Sequence, residues 1–362
     1  MTQITEAMPV NVLGFQTHRD DFAIDLDRET LCARIAAMRD TELTDDAFKR
    51  AHGLSDNRDW QLAEARKALR DDADWERSLI RVAYRPFDER WGYFSEIAMD
   101  YPRRELIEHV AGKENTCIGV GRAGNAVSED IWSLQICSIG PMDANIFRRG
   151  GVNVFPLWLY PSTTLCDLLD NAALERRANF APNFLAAAAA RIEETPQPET
   201  LFAFIYAVLY APSYRMRYAE FLKRDFPRVP LPCDAEQFST LAALGQELIE
   251  LHTLQRALPA ITRYPATGSN RVDRVRWAPA ADATGRVYIN SEQYFDGVPA
   301  AVWDTHIGGY RVAEKWLKDR KGRILSYDDL THYQQVIAAL ARTLEIQSGI
   351  DAAIAQTGVE MG

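Results

Sequence analysis

The amino-acid sequence predicts a mixed α+β protein, in which a helical N-terminal segment precedes a β-rich core and central and C-terminal helices follow it. Three patterns indicate this fold class: an acidic, helix-like stretch before residue 77, short β-type runs between 79 and 160, and helical periodicity from 165 to 256. The length of 362 residues allows two or three hydrophobic cores. We therefore expect four segments, at residues 1–77, 78–160, 161–260 and 261–362.

The first two segments contain most of the predicted strands. Residues 9–27 alternate apolar and polar side chains as a strand pair does, and Asp27 is a suitable N-cap for a helix that reaches Met38. The acidic stretch up to Ala73 is predicted to continue as helix. Proline and glycine then separate five β-type runs, at Leu79–Tyr84, Trp91–Phe94, Thr116–Val120, Ile131–Ile139 and Val152–Leu159.

The last two segments are predicted to be helical except for one strand pair. Val272–Trp277 and Arg286–Ile289 have strand composition, and Asp282–Gly285 between them is a hairpin turn signal. Two further helices are expected near 309–320 and 326–355. Prolines separate the earlier helical stretches, which are Asn183–Arg191, Phe202–Leu209, Tyr214–Phe221 and Ala235–His252.

The charge distribution limits the class of partner. A net charge of −10 disfavours a nucleic-acid binder, because attraction to phosphates is the main source of affinity for DNA. The charge is uneven, however, since acidic residues dominate 20–76 while arginine and lysine gather at 81–104, 263–276 and 311–323. The sequence is therefore compatible with a local basic face.

Signals for membranes, metals and cofactors are weak. No stretch approaches the ~20 apolar residues of a membrane span and no signal peptide is recognisable, so we expect a cytoplasmic protein. The cysteines lie far apart without a C-x-x-C pair, and the histidines are unclustered. Asp304 with Asp319 and Lys321 could form a metal-nuclease site, but the last two fall at the end of a predicted helix instead of on a strand. We expect no metal and no cofactor.

One glycine-rich stretch allows two interpretations. Residues Gly119–Gly124 match the G-x-G-x-x-G pattern of dinucleotide-binding proteins, and Asp143 has a suitable spacing to bind a ribose hydroxyl. Residues 125–132, however, are too few and too polar for the helix that such a site requires. We favour a glycine-rich β-loop with an exposed Arg122, and keep a nucleotide-binding enzyme as an alternative.

Two basic stretches are candidate contacts to a polyanion. In Ile307–Arg323 a glycine pair opens a predicted short helix that carries six basic residues. These residues either form a solvated face, with Val312 and Trp316 packed inward, or contact phosphates near the glycine pair. The arginines around Trp91 are either edge residues of a sheet or exposed loop residues, where a guanidinium can bind guanine bidentately.

Taken together, these stretches resemble the C-terminal target-recognition region of Type ISP restriction-modification enzymes and related adenine-specific DNA methyltransferases. The similarity extends from about Val10 to Asp351. The resemblance implies a mixed α/β domain that grips duplex DNA and reads bases through loops, while separate domains perform methyl transfer and cleavage. The stretches that carry it are Tyr84–Trp91, Pro102–Glu105, Phe155–Tyr160, Phe202–Leu209, Tyr214–Pro227 and Gly308–Arg323.

The sequence lacks the motifs of those separate domains, namely the N/D-P-P-Y/F/W tetrapeptide, a glycine-rich S-adenosylmethionine motif and helicase motifs. We therefore predict a non-catalytic DNA target-recognition protein of a restriction-modification or methyltransferase system, acting in phage defence. Its acidic N-terminal helices are expected to face a catalytic subunit. The alternative is a protein-interaction subunit that kept the fold but lost DNA binding. The candidate DNA contacts are Arg85, Arg90, Arg103, Arg104 and Arg122, and for phosphates Arg311, Lys315, Lys318, Arg320 and Lys321.

Overall fold

The computed structural model describes residues 1–122, 132–148, 150–161, 176–280 and 282–357, without the side chains of Arg104 and Thr357. It confirms the prediction of a mixed α+β fold. The strands are β1 (Thr2–Gln3), β2 (Val12–Leu13), β3 (Ile24–Asp25), β4 (Leu79–Arg85), β5 (Asp88–Tyr93), β6 (Cys117–Val120), β7 (Gln135–Ser138), β8 (Asn153–Pro156), β9 (Trp158–Leu159), β10 (Arg177–Ala178), β11 (Arg228–Val229), β12 (Arg276–Pro279), β13 (Thr284–Tyr288), β14 (Tyr294–Pro299), β15 (His306–Ile307) and β16 (Tyr310–Arg311).

The described part of the chain also contains fourteen α-helices. They are α1 (Ile4–Ala7), α2 (Asp20–Ala23), α3 (Arg28–Ala36), α4 (Asp45–His52), α5 (Leu62–Asp71), α6 (Arg104–Val110), α7 (Pro182–Ile192), α8 (Pro198–Tyr210), α9 (Pro212–Arg217), α10 (Ala219–Leu222), α11 (Ala235–His252), α12 (Ala300–Trp303), α13 (Val312–Lys318) and α14 (Tyr327–Thr357). None of the helices in the described ranges is long and apolar enough to cross a membrane.

The strands form several small sheets. The largest has the order β2-β8-β6-β7, and Ile118 in its strand β6 lies opposite Cys137 on one side and Phe155 on the other. Two three-stranded sheets have the orders β3-β5-β4 and β12-β13-β14. Every pair of these strands is antiparallel. The fold therefore lacks, in its described strands, the parallel β-α-β units of a doubly wound sheet.

Two hydrophobic cores share the β4–β5 hairpin. The N-terminal core packs α3 and α5 against this hairpin, and Val82 belongs to it. Ala83 and Phe87 of the same hairpin instead join the larger core, which contains the sheet of β6 and the long helices. The predicted four-segment division stays a prediction, and the hairpin links its first two segments by packing into both cores.

The larger core is built around α8. Leu201–Tyr210 are all buried, because α11 packs along one side of this helix and α14 touches its end. The side chain of His252, at the end of α11, is buried between α8 and α14. Thr343 donates its hydroxyl to the Ala339 carbonyl, so it accepts a hydrogen bond from Nε2 of His252 at 2.9 Å. Nδ1 is then the acceptor for the Tyr206 hydroxyl, at 2.7 Å.

The chain begins by pairing with a segment far along the sequence. Strand β1 pairs with β11, so that Thr2 lies opposite Val229. The N–H of Ile4 donates to the Pro227 carbonyl at 3.0 Å, and Ile4 is buried in the larger core.

Local predictions differ in accuracy. Asp27 caps α3 as predicted, since its side chain accepts a hydrogen bond from the Thr30 N–H at 2.7 Å. The strand pair expected at 9–27 is wrong, because β2 and β3 lie in different sheets with α2 between them. The helix expected at 309–320 begins later, at Val312, after the hairpin of β15 and β16.

Candidate nucleic-acid interface

Residues 141–148, between β7 and β8, lie at the centre of the candidate interface. We call them the 141–148 segment. The N–H groups of Phe15, Ala83 and Gly309 donate to carbonyl oxygens of this segment at 3.0, 2.8 and 3.1 Å. Three regions that are distant in sequence are thereby fixed around one short stretch of backbone. Most of the predicted DNA contacts lie on these three regions or on the segment's other neighbours.

Arg85 is tied to this segment from the end of β4. Its Nη1 lies 2.9 Å from Oδ1 of Asp143, and about a tenth (10%) of its side chain is exposed. The guanidinium lies 3.7 Å from the ring centre of Tyr84 and 5.8 Å from that of Tyr310. Burial raises the pKa of Asp143 to about 6, although Arg85 acts in the opposite direction. Arg85 therefore balances a buried carboxylate and orders two half-buried tyrosines.

Arg90 and Arg320 share the buried carboxylate of Asp88. Their Nη2 atoms lie 2.7 and 2.9 Å from its two oxygens. Burial alone would raise the pKa of Asp88, but the two guanidinium groups outweigh it and hold the pKa below its ordinary value. Arg320 also stacks on Trp316 at 3.4 Å, and its side chain is 6% exposed. Arg320 was predicted to contact phosphates, whereas the structure places it in the core as an ion pair.

The other predicted cations of this region remain at the surface beside acidic neighbours. Lys318, on α13, is 56% exposed, and a pair this exposed stabilises a fold by little in water. Lys321 is exposed and makes no ion pair with the residues that the structure describes. The closest N–O distances are 3.4 Å for Arg311–Asp304, 2.5 Å for Lys315–Asp319 and 2.8 Å for Lys318–Glu314.

Gly308 and Gly309 form the turn of the β15–β16 hairpin and allow this hairpin to pack closely on the 141–148 segment. Gly308 has a φ of +57°, and a Cβ at this position would lie 2.7 Å from both Cβ and the carbonyl oxygen of Phe147. Its N–H donates to the Ser133 carbonyl at 2.9 Å. In one of the two interpretations of this stretch, the glycines let a DNA backbone approach. The backbone that approaches them in the structure is the protein's own.

Arg122 and Arg148 are exposed near Phe147. Gly121 packs on the Phe147 ring, with its ideal Cβ position 3.0 Å away, and Arg122 follows it in the chain. The Arg122 guanidinium lies 5.3 Å from the ring centre of Phe226. Arg148 borders Gly309, whose ideal Cβ position is 2.9 Å from the arginine Cδ. Neither arginine forms an ion pair with a carboxylate in the described ranges.

Arg103 contacts the residues on either side of Phe15, which itself binds the 141–148 segment. Its Nε donates to the Gly14 carbonyl at 3.4 Å and its Nη2 to the Gln16 side chain at 3.3 Å. It adopts a φ of +62°, which is uncommon for a residue with a side chain. Arg104 begins α6, and its side chain lies outside the described part of the protein.

Several exposed arginines were not singled out from the sequence. Backbone hydrogen bonds from Val272 to Arg323 (2.9 Å) and from Gly322 to Val272 (2.6 Å) join two of the basic stretches. These bonds place the backbone of Arg271 beside the turn that carries Lys321, and both side chains are exposed. Basic clustering at 263–276 was visible in the sequence, but the long-range pairing was not. Arg148 lies outside the basic clusters of the sequence, so clustering did not indicate it.

The alternative chemistries gain no support from these positions. Gly119 lies inside β6, and a Cβ there would lie 2.5 Å from the Met142 sulfur and 2.9 Å from Val152, so packing explains this glycine. Asp143, the expected ribose ligand, is ion-paired with Arg85. Gly124 lies outside the described residues. Within the described ranges, no group of three or more His, Cys, Asp and Glu side chains could hold a metal.

The fold of the chain is similar to that of several solved protein–DNA complexes. The fold is similar to that of "ATP-dependent Type ISP restriction-modification enzyme LlaBIII bound to DNA", with a TM-score of 0.71 and 17% identity over 95% of this chain and 23% of that one. A nuclease-deletion mutant of the Type ISP restriction-modification enzyme LlaGI, in complex with a DNA substrate mimic, has a similar fold with a TM-score of 0.65. The sequence identity is 17%, and the match covers 94% of this chain and 33% of that one. The DrdV–DNA complex matches with a TM-score of 0.68 and 21% identity, over 98% of this chain and 36% of that one.

These likenesses concern the fold, and the chain spans about a quarter to a third of the length of those proteins. No curated protein matches the chain. The family model of the Type ISP C-terminal specificity domain matches residues 6–348, which is nearly all of the sequence. The chain therefore belongs to the family of Type ISP C-terminal specificity domains.

Proposed function

We propose that this protein recognises a specific duplex-DNA sequence, as the target-recognition part of a restriction-modification or adenine-N6 methyltransferase system. It carries no catalytic module of its own in this proposal and works in the cytoplasm. The observation that carries the proposal is the convergence of cationic residues around the 141–148 segment in a chain of the specificity-domain family. Arg122 and Arg148 are the strongest candidates for base contacts, because both are exposed and without a described acidic partner.

The decisive experiment is binding to a randomised duplex library at two salt concentrations, followed by sequencing of the retained DNA. Recognition predicts an enriched motif whose retention weakens as salt rises. The double variant Arg122→Ala/Arg148→Ala is expected to lose this enrichment. Arg70→Ala, which changes an exposed arginine on α5 in the N-terminal segment, is the matched control and should retain it. Absence of any retained DNA would sink the proposal.

One observation favours the competing function, an interaction subunit that no longer binds DNA. The cations of α13 are paired with Glu314 and Asp319, and the net charge is −10. On that alternative, neither salt concentration gives retained DNA, yet the folded protein still binds a protein partner.

The acidic stretch 20–76, which contains the helices α3 to α5 and the loops between them, is the proposed contact to a catalytic subunit. Acidic side chains begin α4, where Thr44 caps the helix and Asp45 and Asp46 follow. Such a surface repels DNA and is therefore free to bind protein while the basic side binds its target. Co-purification with a methyltransferase subunit should weaken with salt and with the change Asp46→Lys, and an unaffected complex would exclude α4 from this contact.

A further inference from the structure

A pocket of about 260 Å³ lies beside α9 and α10, away from the ion pairs of α13. It is lined by Met1, Tyr214, Tyr218, Phe221 and Arg228. The two tyrosine rings are 5.2 Å apart between centres, at an angle of 49°. The Arg228 guanidinium lies 5.2 Å from the centre of the Phe221 ring. Three aromatic rings and a guanidinium therefore surround a space large enough for one planar group.

The pocket wall is fixed by the fold. The Tyr214 hydroxyl donates to the Arg228 carbonyl at 2.8 Å and accepts from the Arg228 N–H at 3.1 Å. Tyr214 is fully buried, and Arg228 belongs to β11, which pairs with β1. Because backbone and ring hold each other, the aromatic surface is present before any ligand arrives.

The charge around the pocket is positive. Arg217 and Arg228 are exposed and form no ion pair with a carboxylate that the structure describes. Of the nearby acids, Glu220 is paired with Lys223 at 2.7 Å, and Asp225 accepts a hydrogen bond from the Gln3 amide. A ligand that combines a flat π-system with negative charge fits these features better than a neutral apolar group.

The pocket is also connected to the candidate DNA interface. Phe226 lies four residues beyond Leu222, the last residue of α10, and its ring meets Phe155 of β8 edge-to-face at 6.4 Å. The Arg122 guanidinium, which follows β6, lies over the same Phe226 ring. Phe226 lies between the pocket residues Phe221 and Arg228 in the sequence, so the chain segment that lines the pocket also contacts Arg122.

We propose that this pocket stacks an unpaired nucleobase, with Arg228 and Arg217 binding the phosphates on either side. The inference extends the proposed function, because a DNA-recognition protein would thereby hold a base that has left its duplex. Tyr218 and Phe221 supply the stacking faces.

The test uses two probes: a short single strand with one central 2-aminopurine, and the fully paired duplex of the same sequence. The protein should bind the strand and quench its fluorescence, and Tyr218→Leu should weaken this binding by about tenfold. Arg228→Gln, at an exposed position, should also weaken it, with unchanged melting temperature and circular dichroism. Tyr327→Leu is the matched control, because Tyr327 is an exposed tyrosine (81%) far from the pocket. Asp351 of α14 binds Ser213, the residue before Tyr214 of the pocket. Tyr327 lies at the other end of α14, ~36 Å along the helix from Asp351.

The outcomes separate this inference from the proposed function. Duplex binding with no binding of the strand, or strand binding that both variants leave unchanged, overturns the base-stacking pocket and leaves duplex recognition intact. Strand binding that the two variants weaken supports the pocket even if the duplex is not bound. If neither probe is bound, the base-stacking pocket fails and an aromatic peptide side chain becomes the alternative occupant, while the randomised duplex library decides duplex recognition.

Discussion

Arg320 and Asp88 are 232 residues apart in the sequence, yet Nη2 of the arginine lies 2.9 Å from the aspartate carboxylate. Both side chains are almost completely buried. The pair joins the β4–β5 hairpin to the turn between α13 and α14. Since Arg90 shares Asp88 and also reaches Asp319 at 3.2 Å, the same network fixes the C-terminal end of α13.

Removing Arg320 should therefore affect stability and leave the DNA-contact chemistry alone. Arg320→Met leaves Asp88 with one partner in place of two, and a broken buried pair costs about 3–5 kcal/mol. Urea unfolding measures this loss. The folded fraction should bind DNA with little change in affinity. A large loss of affinity with unchanged stability would show that Arg320 contacts phosphate after all.

Lys321 should contribute to the salt dependence of DNA binding as a single phosphate contact. Each neutralised phosphate releases counterions, so Lys321→Gln should reduce the slope of log affinity against log salt by about 0.9. Affinity should fall similarly for all DNA sequences, because a phosphate contact does not read bases. Lys67→Gln, which changes an exposed lysine on α5 in the N-terminal segment, is the control and should leave the slope unchanged.

Gly308 should tolerate no side chain. Gly308→Ala adds a methyl group at 2.7 Å from Phe147 and keeps a φ of +57°, so we expect a loss of about 2–4 kcal/mol in stability. Gly53→Ala is the matched control, because Gly53 has a similar φ of +64° with nothing within 4 Å of its ideal Cβ. It should cost only about 1 kcal/mol. Equal losses in thermal unfolding would show that the contact with Phe147 is unimportant.

His252 should make the fold sensitive to acid. Burial lowers the pKa of His252 to about 3, against 6.5 for an exposed histidine. Because the folded protein resists protonation and the unfolded chain accepts it, the stability present above pH 6.5 is lost as the pH falls towards 3. This group removes up to about 1.4 kcal/mol per pH unit. His252→Gln should show a shallower decline in urea unfolding between pH 7 and 5, and a parallel decline would contradict the assignment.

The sequence predicted the fold class and the basic stretches but not the role of each cation. The pairing of Lys318 with Glu314 was readable, because the two are four residues apart on one helix. The inward packing of Trp316 was correctly expected, yet Arg320 was assigned to the surface. Its partner Asp88 belongs to another part of the chain, and local periodicity contains no information about such a contact. The same limit hid the neighbourhood of Arg271 and Lys321.

The pairing of β1 with β11 has a consequence for how the protein is made. Thr2 and Gln3 cannot meet their partner strand during synthesis until the chain has grown beyond Val229. Ile4 and Met8, which are buried in the finished protein, are exposed to water throughout that interval. Completion of the larger core is thus a late event of synthesis, and newly made chains depend on protection from aggregation until their second half emerges.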